Sequence, residues 1–249
     1  MTRLARCAVP AIVLCLAAAA CGSGGPAHHA APAGTTVPAT PSASAGTPVD
    51  PLVADGCSTR LPERVIASGY DRITLLGTGN RTVILSDESD ENMCSWLPFA
   101  GRLVSAGYRV ALWDYVDDPV TELAAVAAAV RTGRLALIGA SEGAKTSLIA
   151  AVSIKPAVAG VVSLSAEQSL QGTDVPTAVA PLRVPVLLIT AHDDAYDAAD
   201  AGPEIIKAMA GTDKRLTVVP GSDHGTALLT HPTVTTEILA FLNAHEKAR

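Results

Sequence analysis

Short apolar segments alternate with helix-length segments along most of this 249-residue chain, and this alternation limits the fold more than any other feature. The predicted strands are rich in Val, Ile and Leu and occupy residues 108–113, 135–139, 161–164, 186–190 and 215–219. The predicted helices occupy residues 95–106, 120–131, 142–153, 203–210 and 233–244. Such an alternation favours a mostly parallel sheet that is covered by helices on both faces. The sequence therefore predicts the α/β fold class.

Two further apolar segments precede this pattern, at residues 72–76 (RITLL) and 82–86 (TVILS). Gly77, Gly79 and Asn80 lie between them, and these residue types favour turns. The two segments are predicted to form a hairpin. This hairpin would add an antiparallel edge at the N-terminal side of the sheet.

The first 52 residues differ in composition from the rest of the chain. Residues 1–20 combine two arginines with an apolar run that is shorter than the roughly 20 residues of a membrane span, so they are predicted to be a signal peptide. Three alanines precede Cys21, which resembles a bacterial lipoprotein signal with Cys21 as the lipidated residue. Ordinary secretion past a chance cysteine is the alternative. Residues 21–52 are rich in Ala, Pro, Thr and Ser and are predicted to be a disordered linker, followed by one folded domain at 53–249.

The charge of the chain limits its binding partners, and its cysteines bear on the cellular compartment in which it folds. The net charge of −6 and the lack of a basic cluster argue against nucleic-acid binding. Lipidation of Cys21 would make a membrane-anchored envelope lipoprotein, and secretion would equally place the domain outside the cytoplasm. In that oxidising setting Cys57 and Cys94 are expected to form a disulfide, with two buried free thiols as the alternative. The chain-entropy estimate for such a bond is about 3–4 kcal/mol of stabilisation.

Residues Gly139 to Gly143 match the pattern G-x-S-x-G, with Ser141 at its centre. A hydrophobic strand runs directly into this motif, and an Ala-rich helix runs out of it. Small residues on both sides of the serine allow a sharp strand-to-helix turn, which raises the hydroxyl above the end of the sheet. The pattern therefore predicts that Ser141 is a nucleophile.

A serine hydroxyl is a weak nucleophile and needs a neighbouring base. His224 follows the last predicted strand, at the position where such a base is expected. His192 follows a different strand, His231 opens a helix and His245 lies on the polar C-terminal helix. His224 is therefore the predicted base.

The base needs a carboxylate that fixes its tautomer and stabilises the imidazolium form. Three aspartates follow the strand at 186–190, namely Asp193, Asp194 and Asp197. Asp194 lies where the loop has just cleared the strand end and is preferred. Asp193 is the second choice, and Asp197 is expected to cap or precede a helix.

The serine, aspartate and histidine, in this chain order, together with the strand–helix alternation, resemble the α/β-hydrolase fold from about residue 72 to the C-terminus. The chain is most similar to the compact dienelactone hydrolases and small carboxylesterases. Only about 20 residues separate the strands that end at Leu164 and begin at Val186, which is too few for a helical lid. The resemblance implies no lid domain, no metal ion and no organic cofactor.

The resemblance also implies an oxyanion hole made by backbone N–H groups. Glu142 should give one donor, and Glu88 or Ser89, in the loop after TVILS, should give the other. In the family this loop often begins His-Gly, whereas here it is acidic and has no glycine. An acidic loop would repel anionic substrates and favour neutral or cationic esters, unless its carboxylates point to solvent and select nothing.

The expected function is hydrolysis of small, neutral carboxylic esters through an acyl-enzyme intermediate. An envelope amidase, peptidase or acyltransferase on the same triad is one alternative, and a non-catalytic binding lipoprotein is another. If Cys57 and Cys94 pair, the bond would hold the oxyanion loop against the N-terminal segment. This restraint would replace the rigidity of a His-Gly turn.

Overall fold

The fold is built around one eight-stranded sheet. The computed structural model describes Cys57 and residues 63–66, 73–114 and 117–245. The predicted signal peptide (1–20), the predicted linker (21–52) and Cys21 lie outside the described residues.

The strands of the sheet are β1 (Glu63–Ile66), β2 (Ile73–Leu76), β3 (Arg81–Ser86), β4 (Arg109–Trp113), β5 (Arg134–Ala140), β6 (Gly160–Leu164), β9 (Val186–Ala191) and β10 (Lys214–Val219). Their order across the sheet is β1-β2-β4-β3-β5-β6-β9-β10. All neighbouring pairs from β4 to β10 are parallel, whereas β1–β2 and β2–β4 are antiparallel. Two short strands, β7 (Ser169–Leu170) and β8 (Thr173–Asp174), form a separate antiparallel pair.

Helices cover both faces of the sheet. They are α1 (Leu97–Ser105), α2 (Pro119–Val130), α3 (Glu142–Ser153), α4 (Val175–Val179), α5 (Ala198–Ala208) and α6 (Pro232–His245), with 3₁₀ turns at Met93–Trp96 and Gly225–Thr230. Helix α2 begins at a side-chain cap, because Asp118 Oδ1 accepts a hydrogen bond from Thr121 N, and its bonds with Thr121 lower the pKa of Asp118. No helix among the described residues combines the length and the hydrophobicity that a transmembrane span requires.

Alternate residues of the parallel strands feed two hydrophobic cores. Along β3, Ile84 packs into the core beneath α2 to α5, whereas Val83 and Leu85 pack into the core beneath α1 and α6. All three side chains are fully buried. A strand that is apolar on both sides needs helices on both faces, which is the arrangement that the sequence predicted. The α/β fold class, the mostly parallel sheet and the antiparallel N-terminal edge are confirmed.

The strands of that antiparallel edge are not the predicted ones. Residues 72–76 and 82–86 do not pair as a hairpin, because β4 lies between β2 and β3, and β1 supplies the edge strand. The glycines between them instead allow the connection from β2 to β3 to pass close to the backbone that leads into β4. A Cβ atom on Gly77 would lie 2.7 Å from the carbonyl oxygen of Tyr108, and one on Gly79 would lie 2.2 Å from that of Gly107. The connection therefore passes tightly over the start of β4.

Helix α5 begins earlier than the predicted residues 203–210. It starts at Ala198 and contains Pro203 in its interior. Asp197 directly precedes the helix, with a left-handed φ of 61°, and its carbonyl accepts hydrogen bonds from Asp200 N and Ala201 N. Pro203 lies in the second turn and has no N–H, so the helix loses one backbone hydrogen bond there, but it continues to Ala208.

Candidate functional site

Ser141 lies on the sharp turn between β5 and α3. Its φ and ψ of 48° and −110° are unusual for a residue other than glycine, as expected for a nucleophile on a strand-to-helix turn. The backbone holds this conformation from both sides. Ser141 N donates to Leu164 O at 2.8 Å, and Lys145 N donates to Ser141 O at 3.2 Å.

The two glycines of the motif permit close contacts between backbones. A Cβ atom on Gly139 would lie 2.0 Å from the carbonyl oxygen of Gly143, so the strand and the helix touch at this point. A Cβ atom on Gly143 would lie 2.2 Å from the carbonyl oxygen of Ser86, at the end of β3. The oxyanion loop predicted from the sequence therefore crosses directly over the first turn of α3.

His224 and Asp194 meet at the same edge of the sheet, beyond β10 and β9. His224 Nδ1 lies 2.9 Å from both carboxylate oxygens of Asp194. The Asp194 side chain is fully buried, and its Oδ1 also accepts a hydrogen bond from Tyr196 N at 3.0 Å. A buried carboxylate at this distance fixes the ring orientation and directs Nε2 toward the cavity.

The competing residues lie elsewhere. Asp193 is exposed and its Oδ1 lies 2.7 Å from Nδ1 of the exposed His192. His231 precedes α6 and pairs with Asp223 at 2.6 Å, and His245 ends α6. The structure therefore brings together Ser141, Asp194 and His224 and leaves these alternatives outside the site.

A carboxylate that the sequence analysis missed lies between the serine and the histidine. Among the described residues, Ser141 Oγ donates its hydrogen bond to Glu167 Oε1 at 2.9 Å and not to His224. The same Oε1 is 3.5 Å from His224 Nε2, and Oε2 forms an ion pair with Lys145. Glu167 follows the C-terminal end of β6, in a polar segment for which no role was predicted. The only sequence signal was its position after a parallel strand, since ligands bind at the carboxyl ends of such strands.

Two neighbouring side chains of the oxyanion loop predicted from the sequence tie it to other parts of the site. Ser89 Oγ donates to Glu142 Oε2 at 2.6 Å, which ties the loop to the first residue of α3. Glu88 Oε1 accepts a hydrogen bond from Thr226 N at 3.3 Å, which ties the loop to the segment after His224. The loop therefore bridges the segments that carry the serine and the histidine.

The predicted disulfide is present in the structure and lies next to this loop. Cys57 and Cys94 are joined, with their Cα atoms 5.4 Å apart. Cys94 belongs to the 3₁₀ turn that follows the loop, and Asn92 Oδ1 caps this turn by accepting from Cys94 N at 2.9 Å. The bond therefore restrains the C-terminal end of the loop.

A cavity of about 510 Å³ opens above Ser141 and His224. Its walls come from the loop after β3, the turn at Ser141, the segment after β6 and the residues around His224. Tyr196 is 62% exposed, and its ring centroid lies 4.3 Å from that of His224. A second cavity of about 370 Å³ adjoins the first and shares Lys145, Glu167 and Tyr196 with it.

Metal-ligating side chains do not cluster in the described part of the chain. Within these ranges no group of three or more His, Cys, Asp or Glu side chains is arranged to hold a metal ion. The candidate site thus consists of a hydroxyl, an imidazole, two carboxylates and an ammonium group.

Comparisons with solved structures identify the fold of this chain. No protein-family model and no curated protein matches the chain. An esterase from Pyrococcus furiosus superposes with a TM-score of 0.62 at 16% identity, covering 79% of this chain and 94% of that one. Dienelactone hydrolase from Anabaena variabilis gives 0.58 at 18% identity, covering 76% and 100%. A monoacylglycerol lipase from Paleococcus ferrophilus gives 0.58 at 13% identity, covering 68% and 98%, so the chain has the α/β-hydrolase fold.

Proposed function

We propose that this α/β-hydrolase-fold protein is a serine hydrolase that cleaves small carboxylic esters through an acyl-enzyme intermediate. One observation carries the proposal. Ser141 stands on a strained strand-to-helix turn, at the edge of the sheet where His224 is held 2.9 Å from the buried carboxylate of Asp194. A hydroxyl, a base and a carboxylate at one cavity are the groups that acyl transfer requires.

The proposed roles follow from these positions. His224 takes the proton of Ser141 Oγ as the oxygen attacks the ester carbonyl, and Asp194 stabilises the imidazolium that results. The backbone N–H of Glu142 and that of Glu88 or Ser89 are proposed to hold the oxyanion. The protonated His224 then gives its proton to the leaving alcohol, and water repeats the sequence to release the acid.

The hydrogen bond from Ser141 to Glu167 bears on this mechanism and on the competing class. Before attack the hydroxyl must turn from Glu167 to His224 Nε2. Catalytic hydrogen bonds commonly form only when substrate is bound, which is compatible with an enzyme. A binding protein without activity would instead retain the Ser141–Glu167 bond permanently.

The place of action is also a proposal. A signal peptide at 1–20 and lipidation of Cys21 would anchor the domain to the outside of a membrane through the linker 21–52. The described domain carries a disulfide, and such bonds persist in oxidising compartments outside the cytoplasm.

A fluorophosphonate probe tests the proposed chemistry, because it labels only an activated serine. We expect the protein to be labelled, and Ser141→Ala to abolish both labelling and hydrolysis of p-nitrophenyl esters. Ser105→Ala removes a hydroxyl on the exposed side of α1, where it bonds to Gly101 O, and should leave both unchanged. A folded protein that is not labelled would identify the binding class instead.

The disulfide gives a second test of the same site. Complete loss of one oxyanion donor weakens transition-state stabilisation by about 3 kcal/mol, which is somewhat more than 100-fold. A loosened loop loses part of this interaction, so turnover should fall by about 10- to 100-fold. We expect this loss in the reduced protein and in the double variant Cys57→Ser, Cys94→Ser. The circular dichroism spectrum should remain that of a folded protein, because most of both cores lies away from the bond. Unchanged kinetics after full reduction would contradict the assigned role of the disulfide.

A further inference from the structure

Glu167 presents one carboxylate oxygen to both groups that are proposed to react. Oε1 lies 2.9 Å from Ser141 Oγ and 3.5 Å from His224 Nε2. The other oxygen is held by Lys145, and the two side chains are only 12% and 17% exposed, for Lys145 and Glu167 respectively. The ion pair therefore fixes the carboxylate while Oε1 faces the cavity.

We propose that Glu167 selects esters that carry a protonated amine next to the scissile bond. This inference rests on the proposed hydrolase function. When Ser141 Oγ bonds to the carbonyl carbon, an amine on the adjacent carbon lies three bonds from Oγ, each about 1.5 Å long. An amine on the second carbon of the alcohol lies three bonds from the leaving oxygen, which takes its proton from His224 Nε2. In either position the amine is within hydrogen-bond reach of Oε1.

The charge of the cavity favours the same substrate class. Four of the described residues that line it carry carboxylates, namely Glu88, Asp90, Glu91 and Glu167, whereas Lys145 is the only Lys or Arg among them. The ammonium group of Lys145 is already engaged with Glu167. The exposed ring of Tyr196 adds an aromatic face, which attracts cations. The resulting field attracts an ammonium group and repels an anionic one.

Binding of the amine would also prepare the nucleophile. An ammonium group on Oε1 replaces the Ser141 hydroxyl as the partner of this oxygen. The hydroxyl is then available to donate to His224 Nε2, as attack on the carbonyl requires. A neutral ester offers no replacement, so the hydroxyl must leave Glu167 Oε1 without a new partner for this oxygen before it can turn to His224. The preference should therefore affect kcat as well as KM.

Two pairs of isosteric esters test the proposal at pH 7. Alanine ethyl ester, which carries the charge on the acyl side, is compared with ethyl isobutyrate. 2-(Dimethylamino)ethyl propionate, which carries the charge on the alcohol side, is compared with 3-methylbutyl propionate. An α-amino group has a pKa of about 7.7–8.0, so most of the alanine ester is charged at this pH. The pair that shows a preference identifies the side on which the amine binds.

We expect kcat/KM for the cationic ester to exceed that of its isostere by about 10- to 100-fold in one pair, as for a hydrogen bond to a charged group. Glu167→Gln should reduce this ratio to within about threefold of unity, which is the range left to uncharged contacts. Asp200→Asn is the matched control. Asp200 is exposed and lines only the neighbouring cavity, so this variant should retain the ratio.

The possible failures are distinguishable. A ratio near unity in both pairs, in a protein whose Ser141 is labelled by the fluorophosphonate, overturns the selectivity and leaves the hydrolase intact. If the preference for the cationic ester persists in Glu167→Gln, other residues cause it, and the proposal is likewise overturned. Absence of labelling at Ser141 overturns the proposed function and this inference together.

Discussion

Asp194→Asn is expected to lower kcat for ester hydrolysis by about 10⁴-fold, with little change in the fold. The Asp194 side chain is fully buried and lies 2.9 Å from His224 Nδ1 through both of its oxygens. An amide in this position presents an N–H to the ring, which favours the tautomer that carries its proton on Nε2. That tautomer cannot accept the proton of Ser141. Steady-state kinetics and circular dichroism measure the two parts of this expectation.

The neighbouring aspartate gives a matched control. Asp193→Asn makes the same chemical change one residue away, at an exposed side chain that pairs only with His192 among the described residues. Surface substitutions of this kind change free energies by about 0.5 kcal/mol or less, so its kcat should stay within about twofold of the parent. A large loss of activity in Asp193→Asn together with full activity in Asp194→Asn would refute the assignment of Asp194 as the carboxylate that orients His224.

Gly139→Ala is expected to have the largest effect on stability and to remove the active conformation as well. The added Cβ would lie 2.0 Å from the backbone carbonyl oxygen of Gly143, and no side-chain rotation can relieve this contact. We expect a loss of about 3 kcal/mol or more, at the upper end of the range for overpacked sites. At roughly 2–4 °C per kcal/mol for a domain of this size, Tm should fall by about 6–12 °C. Fluorophosphonate labelling of Ser141 should be lost at temperatures where the protein remains folded.

Gly101→Ala makes the same substitution in open space. Gly101 lies inside α1, and a Cβ atom placed there meets nothing within 4 Å. Alanine is the better helix former, so stability should rise by about 0.5–1 kcal/mol while labelling stays unchanged. Equal stability of Gly139→Ala and the parent, measured by thermal unfolding, would show that the turn can open without loss.

The acidic loop after β3 was predicted to bear on substrate charge, and its contacts refine this expectation. The Glu88 carboxylate bonds to Thr226, and the Ser89 hydroxyl bonds to Glu142. Part of the negative charge of the loop is therefore engaged in contacts within the site. Glu167, in contrast, contacts the proposed nucleophile directly, because its Oε1 accepts the hydrogen bond of Ser141 Oγ at 2.9 Å. The charge selectivity that the sequence assigned to the loop is therefore proposed to reside chiefly in Glu167.

The features of this fold that could be predicted from the sequence are those set by residues close together in the chain. The periodicity of apolar residues along the chain determines which segments are strands and which are helices, and α3 begins and ends at the predicted residues. The prediction of a hairpin failed because Gly77 and Gly79 are compatible with both a turn and a crossing. Only the strand order, with β4 inserted between β2 and β3, distinguishes the two.

The sequence by itself determined the fold class, the strained turn at Ser141 and the order of serine, aspartate and histidine along the chain. These features depend on residue type and spacing within short segments. Only the tertiary structure decided that Glu167 receives the hydrogen bond of Ser141, and that Asp194 rather than Asp193 faces His224. Each of these contacts joins loops from different strands. Their geometry depends on strand order and register, which the local pattern of apolar and polar residues does not encode.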